Sequence, residues 1–380
     1  MLWKTLNLIL TRWTSIKRWN NFPRIEDISH MDNIWFVVHV ALFLAHLEEE
    51  NWGKVDELFI IKRIIFDSFG SLILSDIISG TKDYIKQIDK KLFEKLTNKV
   101  FNYMFQFEAP EYIKLDIKKT ISNQNKSKEL QIIKAAKKYA WYIEWSINSR
   151  VFNNVYDVVL LEIEEYLAEA REELKSLDIL LDNENYKKYL SHIRRLSHIK
   201  RWNQAIRKYD TSVISHLVFT AFLAYIITSI ENNEWANYDM LEIMKRALYH
   251  DIAEAITGDI IAPTKKAVIW FEELLEKVEI TMLDDYLFHY VWKKYKYKIK
   301  DYILSPWKWK EGKITKYADN LSALFEAKEE VNSQNQLFDG IYKKIKKQLN
   351  NVEISSINYI LKYVLDSFDE DIGDIDLSKF

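Results

Sequence analysis

The 380-residue sequence predicts an all-α protein built from two tandem helical bundles. Three observations predict it. Only 7 Gly and 4 Pro punctuate the chain, far fewer than turn-rich β folds require. Apolar residues recur at helical spacing in several segments, and no stretch sustains a period of two. The first half of the sequence also recurs in the second.

The elements follow in chain order. Leu2, Leu6 and Ile9 give the N-terminus an amphipathic helical spacing. That segment lacks the long apolar core and small-residue cleavage site of a signal peptide. Trp35–Leu47 and Leu217–Ile230 are the longest apolar runs. Both fall short of the ~20 residues a spanning helix needs, so no membrane span is expected. Glu162–Lys175 reads as a charged helix, followed by LDILLDNENY, where Asp182, Asn183 and Asn185 favour a turn. The division is placed there, with domains at 1–178 and 179–380. In the second half, Val213, Leu217, Thr220, Ala221, Ala224 and Ile227 share one helical face. Leu241–Ile256 reads as a further helix, stopped by Thr257-Gly258 and then Pro263. Val268–Val278 and Thr315–Glu330 carry helical patterns as well.

The repeat is explicit. IKRWN occurs at Ile16–Asn20 and again at Ile199–Asn203, an offset of 201 − 18 = 183. The same offset pairs Asp27 with Asp210, Ser29 with Ser212, Glu48 with Glu231 and Asp56 with Asp239. It continues through Lys62-Arg63 on Lys245-Arg246 and Asp76-Ile77-Ile78 on Asp259-Ile260-Ile261. Roughly a third of positions are identical over this ungapped register. A unit of half the chain means two domains, side by side as a pseudo-dimer, and not a solenoid.

Composition excludes several functions. With 54 Lys plus Arg against 56 Asp plus Glu, the formal net charge is −2, which supports no broad nucleic-acid surface. The absence of Cys removes disulfides, Cys-ligated zinc, iron–sulfur clusters and a Cys nucleophile. The few Gly leave little room for a dinucleotide fingerprint or P-loop. A cytoplasmic location is expected.

One set of residues in the second half suits metal chemistry. His250-Asp251 offers two ligands, His216 sits on an otherwise apolar helix, and Asp319 lies on an amphipathic one. Glu254 follows His250 by four residues, which places both on one helical face. Taken singly, each residue has an ordinary role. His216 would be a satisfied core histidine, Asp319 and Glu254 solvated carboxylates, Arg201 a surface ion pair and Trp202 core. The argument rests on the set.

That set resembles the HD-domain superfamily of metal-dependent phosphohydrolases, whose signature His … His-Asp … Asp is met by His216, His250, Asp251 and Asp319. It is most similar to the bacterial 5′-deoxynucleotidase branch. Arg201-Trp202, the segment YHDIAEAITGDIIAPTK (Tyr249–Lys265) and Ala318-Asp319-Asn320-Leu321 carry that resemblance. It implies that those four residues hold one divalent ion, with Mn, Co, Fe, Ni and Zn all compatible. It implies a nucleotide substrate, Arg201 on the phosphate and Glu254 as general acid/base. It further implies that Trp202 crowds the 2′ position, Asp259 lies by the sugar, and Lys265 contacts phosphate. Asn203 stands where the family commonly has Pro, which bears on deoxyribose selectivity. The expected reaction is metal-dependent hydrolysis of a 5′-(deoxy)nucleoside monophosphate. The alternatives are phosphodiester or triphosphate hydrolysis, for which Arg194, Arg195, Lys200, Arg207 and Lys208 offer charge, and nucleotide sensing without turnover. The protein is expected as a monomer with an internal pseudo-dimer, or as a homodimer.

The first repeat has lost this set. The offset of 183 puts Asn33, Asp67, Ser68 and Ser71 at the positions of His216, His250, Asp251 and Glu254. In the later helix, matching Lys138-Tyr139-Ala140 to Lys316-Tyr317-Ala318 reduces the offset to 178 and puts Trp141 at Asp319. Arg18, Trp19, Asp76 and Lys82 are retained. The copy reads either as a packing partner or as a regulatory nucleotide site. His39 and His46 lack acidic or His partners at matching spacing and read as structural.

Overall fold

The computed structural model describes residues 2–74, 79–105, 109–258 and 268–368. Among them there is no β-strand. Two single bridges, Lys17 with Ser29 and Lys200 with Ser212, mark the same loop in each repeat.

The first repeat comprises α1 (Leu2–Leu8), α2 (His30–Trp52), α3 (Glu57–Asp67), α4 (Phe69–Leu74), α5 (Ser79–Phe105), α6 (Glu111–Ser122), α7 (Ser127–Glu173) and α8 (Lys175–Asp182). The second comprises α9 (Glu184–Arg194), α10 (Val213–Asn233), α11 (Met240–Tyr249), α12 (Glu254–Thr257), α13 (Phe271–Tyr286), α14 (Lys293–Leu304), α15 (Trp309–Asn332), α16 (Asp339–Asn350) and α17 (Ser355–Tyr359). The same local chemistry starts the matching helices. Ser29 and Ser212 cap α2 and α10, and Asp56 and Asp239 cap α3 and α11, each by accepting a hydrogen bond from a first-turn N–H. Glu48 and Glu231 are buried and accept from the backbone of Ser176 and Ser356, at the N-termini of α8 and α17.

α2 and α10 form the centre. At 23 and 21 residues they are longer than their apolar runs suggested, and each is long and apolar enough to cross a membrane by length and composition. Their apolar windows are 94% buried inside the fold, so the bundle itself consumes that surface. α7, at 47 residues, breaks helical geometry at Phe152. Only its first half corresponds to α15.

The two repeats pack as a pseudo-dimer across α2 and α10. Phe43 sits among Tyr186, Tyr189, Trp292 and Tyr295 of the second repeat. Trp35 Nε1 donates to the Leu248 carbonyl at 3.0 Å, and Ser215 Oγ donates to Asp32 at 2.8 Å. Ion pairs also cross. Lys245 meets Glu57, and Arg194 grips Glu26 through both terminal nitrogens, at 2.6 and 3.2 Å. His46 has acidic partners after all: Glu49, one turn on in the same helix, and Glu57, which tertiary folding brings from α3. Lys298 and Lys245 already neutralise those carboxylates, so the cluster is an inter-repeat ion network and the histidine keeps its structural role.

Burial pushes the Glu26 carboxyl up, but hydrogen bonds and charge from His198 and Arg194 outweigh it and hold the pKa at about 2 against an ordinary 4.5. A depressed pKa stabilises the fold above the unfolded value, and that stabilisation is lost as pH falls from 4.5 toward 2. Glu26→Gln is therefore expected to cost about 2 kcal/mol at neutral pH and to flatten the acid limb of the stability curve. Urea midpoints measured across that pH range check it.

Candidate active site

The second repeat builds its site on three helix segments and one strained loop. His216 lies in the first turn of α10, His250 caps the C-terminus of α11, and Asp319 lies mid-way along α15. His216 Nε2 is 3.1 Å from Asp319 Oδ1, while His250 Nε2 is 3.3 Å from Asp251 Oδ2 and 3.9 Å from Asp319 Oδ1. The ligand atoms of His216, His250 and Asp251 all lie within 4.8 Å of one another. The four residues expected to converge do converge.

The chemistry of these atoms fits a cation. His250 Nδ1 lies 3.0 Å from the Ala247 carbonyl, a contact that requires the proton on Nδ1. In the neutral ring, Nε2 then carries a lone pair. That atom is buried, makes no hydrogen bond, and faces two carboxylates. Three acceptors turned toward one point are costly unless a proton or a metal ion joins them. Burial raises the Asp319 carboxyl, but the hydrogen bond from His216 and the charges of Lys316, His216 and His250 reverse this and hold it well below the usual range.

Arg201 and Trp202 arrive on the loop that precedes α10. Trp202 has φ of 57° and Trp19 in the first repeat has 54°, left-handed values that are strained for so bulky a residue. The strain aims the indole. Trp202 Nε1 donates to Glu326 Oε2 at 2.6 Å, and Arg201 Nε lies 3.4 Å from the same oxygen. Arg201 Nη1 reaches to 3.9 Å from Asp251. Burial weakens the charged form of the guanidinium, but Glu326, Asp319, Asp251 and Glu254 together keep it firmly protonated.

The sequence missed Glu326. It is almost fully buried and also approaches His216 Nδ1 at 3.4 Å, while Ser322 Oγ lies 2.8 Å from that nitrogen. One carboxylate thus orients the histidine, the arginine and the tryptophan. Its spacing of seven from Asp319 puts both on one face of α15, which was a legible signal.

One expectation needs correction. Leu241–Ile256 is not one helix. α11 ends at Tyr249, and hydrogen bonds of the i→i+3 kind, such as Asp251 O to Glu254 N at 3.0 Å, tighten the chain before α12. The tighter turn breaks the i,i+4 helical register between His250 and Glu254, and the charge of Glu254 acts on Arg201. The basic residues near Arg201 are also engaged elsewhere. Arg194 pairs with Glu26, Lys200 with Asp210, and Arg207 with Glu330. Asp259 and Lys265 lie outside the described residues.

The same frame corrects the alignment of the repeats. In the first, Arg18 Nε and Trp19 Nε1 meet Glu144 Oε2 at 3.2 and 2.6 Å, and Asn33 Nδ2 donates to Glu144 Oε1 at 3.0 Å. Glu144 is therefore the counterpart of Glu326, an offset of 326 − 144 = 182, and α7 and α15 begin at Ser127 and Trp309, also 182 apart. Asp319 then corresponds to Lys137, and not to Trp141. The error of four residues is close to one helical turn, which leaves the apolar face in phase and so escapes pattern matching.

The family model described as YfbR-like 5′-deoxynucleotidase matches the chain twice, over residues 6–183 and 188–368. The chain belongs to this family. It is a tandem HD-type, metal-dependent nucleotide phosphohydrolase of 5′-nucleotidase-like kind. Curated relatives include the 5′-deoxynucleotidase ECA3034 of Pectobacterium atrosepticum, 28% identical over 195 residues that cover 50% of this chain and 96% of that protein. The 5′-deoxynucleotidase plu3092 of Photorhabdus laumondii is 26% identical over 193 residues, with the same coverage of each chain. Among solved structures, an HD-domain phosphohydrolase from Listeria innocua is similar at a TM-score of 0.45 and 23% identity, over 51% of this chain and 92% of that one.

Glu326→Gln is expected to leave Arg201 and Arg207 without their shared buried counter-charge. The change should cost about 3–5 kcal/mol of stability and weaken divalent-ion affinity about 10–100-fold. Urea melts and a metal titration of the purified variant check both.

Proposed function

We propose that the second repeat removes phosphate from a 5′-deoxynucleoside monophosphate, using His216, His250, Asp251 and Asp319 to hold one divalent ion. The observation that carries this reading is the convergence of His250 Nε2, buried and without a hydrogen bond, on Asp251 and Asp319 beside the Arg201 guanidinium. A divalent ion in that set supplies Lewis acidity toward a phosphoryl oxygen and a nucleophile near neutral pH. Mn, Co, Fe, Ni and Zn all suit two histidines and two carboxylates.

The chain's own residues divide the remaining work. Arg201, pinned at Nε by Glu326, directs its terminal nitrogens to the phosphate, where a planar guanidinium matches two oxygens. Glu254 exchanges a proton with the attacking water or the leaving oxygen. Trp202, locked by Glu326, walls the sugar and disfavours a 2′-hydroxyl. Asp259 and Lys265 are assigned to the sugar and phosphate ends on the family resemblance alone. The paired state of Arg194, Lys200 and Arg207 favours a monophosphate over a triphosphate.

The organisation follows. The boundary expected at 178/179 would divide α8, so the degenerate domain runs through Asp182, the end of α8, and the intact one begins at Asn183, which caps α9. The first supplies the packing face that a second subunit would otherwise provide, so the protein acts as a monomer with an internal pseudo-dimer. A cytoplasmic setting suits a nucleotide substrate.

Phosphate release from deoxy- and ribonucleoside mono-, di- and triphosphates, and from cyclic dinucleotides, tests the reading. Release is expected from deoxynucleoside monophosphates with Mn²⁺ or Co²⁺, and is expected to vanish with EDTA or in Asp251→Ala. No monophosphate turnover by protein carrying one metal per chain would overturn it. Separately, Glu254→Gln should lower kcat about 10²–10⁴-fold with metal stoichiometry unchanged. A loss confined to KM would remove Glu254 from proton transfer.

A further inference from the structure

The first repeat keeps the arginine end of the site and rebuilds the metal end. Arg18 is 6% exposed and held at Nε by Glu144, yet its Nη2 is buried and makes no hydrogen bond. Both ring nitrogens of His30 are likewise buried without a hydrogen bond. A buried donor left unpaired is costly, more so on a charged group, so these atoms are suited to a polar ligand.

The surrounding charge says which kind. In the second repeat one guanidinium, Arg201, faces four carboxylates: Glu326, Asp319, Asp251 and Glu254. The corresponding positions around Arg18 are Glu144, Lys137, Ser68 and Ser71. Two carboxylates have become hydroxyls and one has become an ammonium. Lys137 Nζ lies 3.5 Å from Oδ2 of Asp67, the residue at the position of His250, and Asp67 is also held by Arg63 at 2.7 Å. A covalently tethered cation therefore stands on the side where the second repeat would place its metal. Burial is the main cause that pushes the His30 pKa down to about 3, and the charges of Arg18, Lys82 and Lys137 add to it, which places those three cations around the ring.

We propose that the first repeat is a metal-independent binding site for the phosphate of a nucleoside monophosphate, gripped by Arg18 Nη2 and Lys137 Nζ beside the His30 ring. The guanidinium offers the planar N–H donors that phosphate oxygens accept, and the lysine supplies the point charge. With no metal ligands, the site binds without hydrolysis. The choice of a nucleotide phosphate over other anions rests on the proposed role of Arg201 and Trp202 in the second repeat, whose counterparts Arg18 and Trp19 are held here by the same carboxylate contacts.

Calorimetric titration of the full chain, stripped of metal with EDTA, tests this. The probes are deoxyadenosine 5′-monophosphate and, separately, inorganic phosphate. Binding of the nucleotide at one site per chain is expected in the wild type and in Asp251→Asn, tighter than that of phosphate and weaker as salt rises. Lys137 is partly exposed, so Lys137→Gln is expected to fold, as circular dichroism would verify, and to weaken binding about tenfold or more. Absence of binding in the metal-free wild type, or binding unmoved by Lys137→Gln, would overturn the proposal. Equal affinity for the two probes would overturn the nucleotide assignment. Phosphate release by metal-loaded wild type, run in parallel, separates the two readings. Turnover without metal-free binding refutes only this site, and metal-free binding without turnover refutes only the function proposed for the second repeat.

Discussion

A buried carboxylate beneath each site is the constraint on which the rest depends. Glu326 is sunk among Arg201, Arg207 and His216, and takes the indole proton of Trp202. Such a charge is tolerable only when cations and N–H donors surround it. That requirement fixes four side chains of the 201–216 segment with one group more than a hundred residues away. It also explains how a tryptophan can persist at positive φ, since the indole hydrogen bond holds the strained loop against the bundle. Glu144 does the same for Arg18, Trp19 and Asn33 in the first repeat.

The two repeats show how far the site can change while that frame stays. The frame needs a carboxylate, an arginine and a tryptophan, and both copies have them. The metal end lies outside the frame, and there the copies diverge. His216, His250, Asp251 and Asp319 have become Asn33, Asp67, Ser68 and Lys137. Each replacement finds a local partner. Asn33 donates to Glu144, Ser68 Oγ donates to the Ile64 carbonyl, and Lys137 meets Asp67. Arg18 Nη2 and both ring nitrogens of His30, by contrast, are buried without a hydrogen bond.

The pseudo-dimer supplies the rigidity behind this. α2 and α10 are apolar around most of their circumference, and neither could be buried by one bundle alone. Packing them together places Trp35 and His39 on the Leu248 carbonyl, two residues before His250. The first repeat therefore touches the end of the helix that presents a metal ligand. A decayed copy retained for packing and a copy that binds a ligand are compatible roles for this architecture.

Much of this was legible in the sequence because it depends on residue identity and local periodicity. Scarce Gly and Pro and helical spacing required an all-α fold. The IKRWN repeat required two copies, and His216, His250-Asp251 and Asp319 marked one metal site. What escaped was anything fixed by phase within a helix or by contact between elements. A slip of four residues along α7 preserves its apolar face, so Lys137 stayed hidden behind Trp141 until Glu144 and Glu326 were seen to hold the same partners. The break of α11 at His250 carries no Gly or Pro, and Glu326 looks like any surface carboxylate until Arg201 and Trp202 fold onto it. The chain alone determined which residues could bind a metal and that one copy had lost them. Only the tertiary structure decided where those side chains converge and which carboxylate each cation meets, because both depend on distances between groups more than a hundred residues apart.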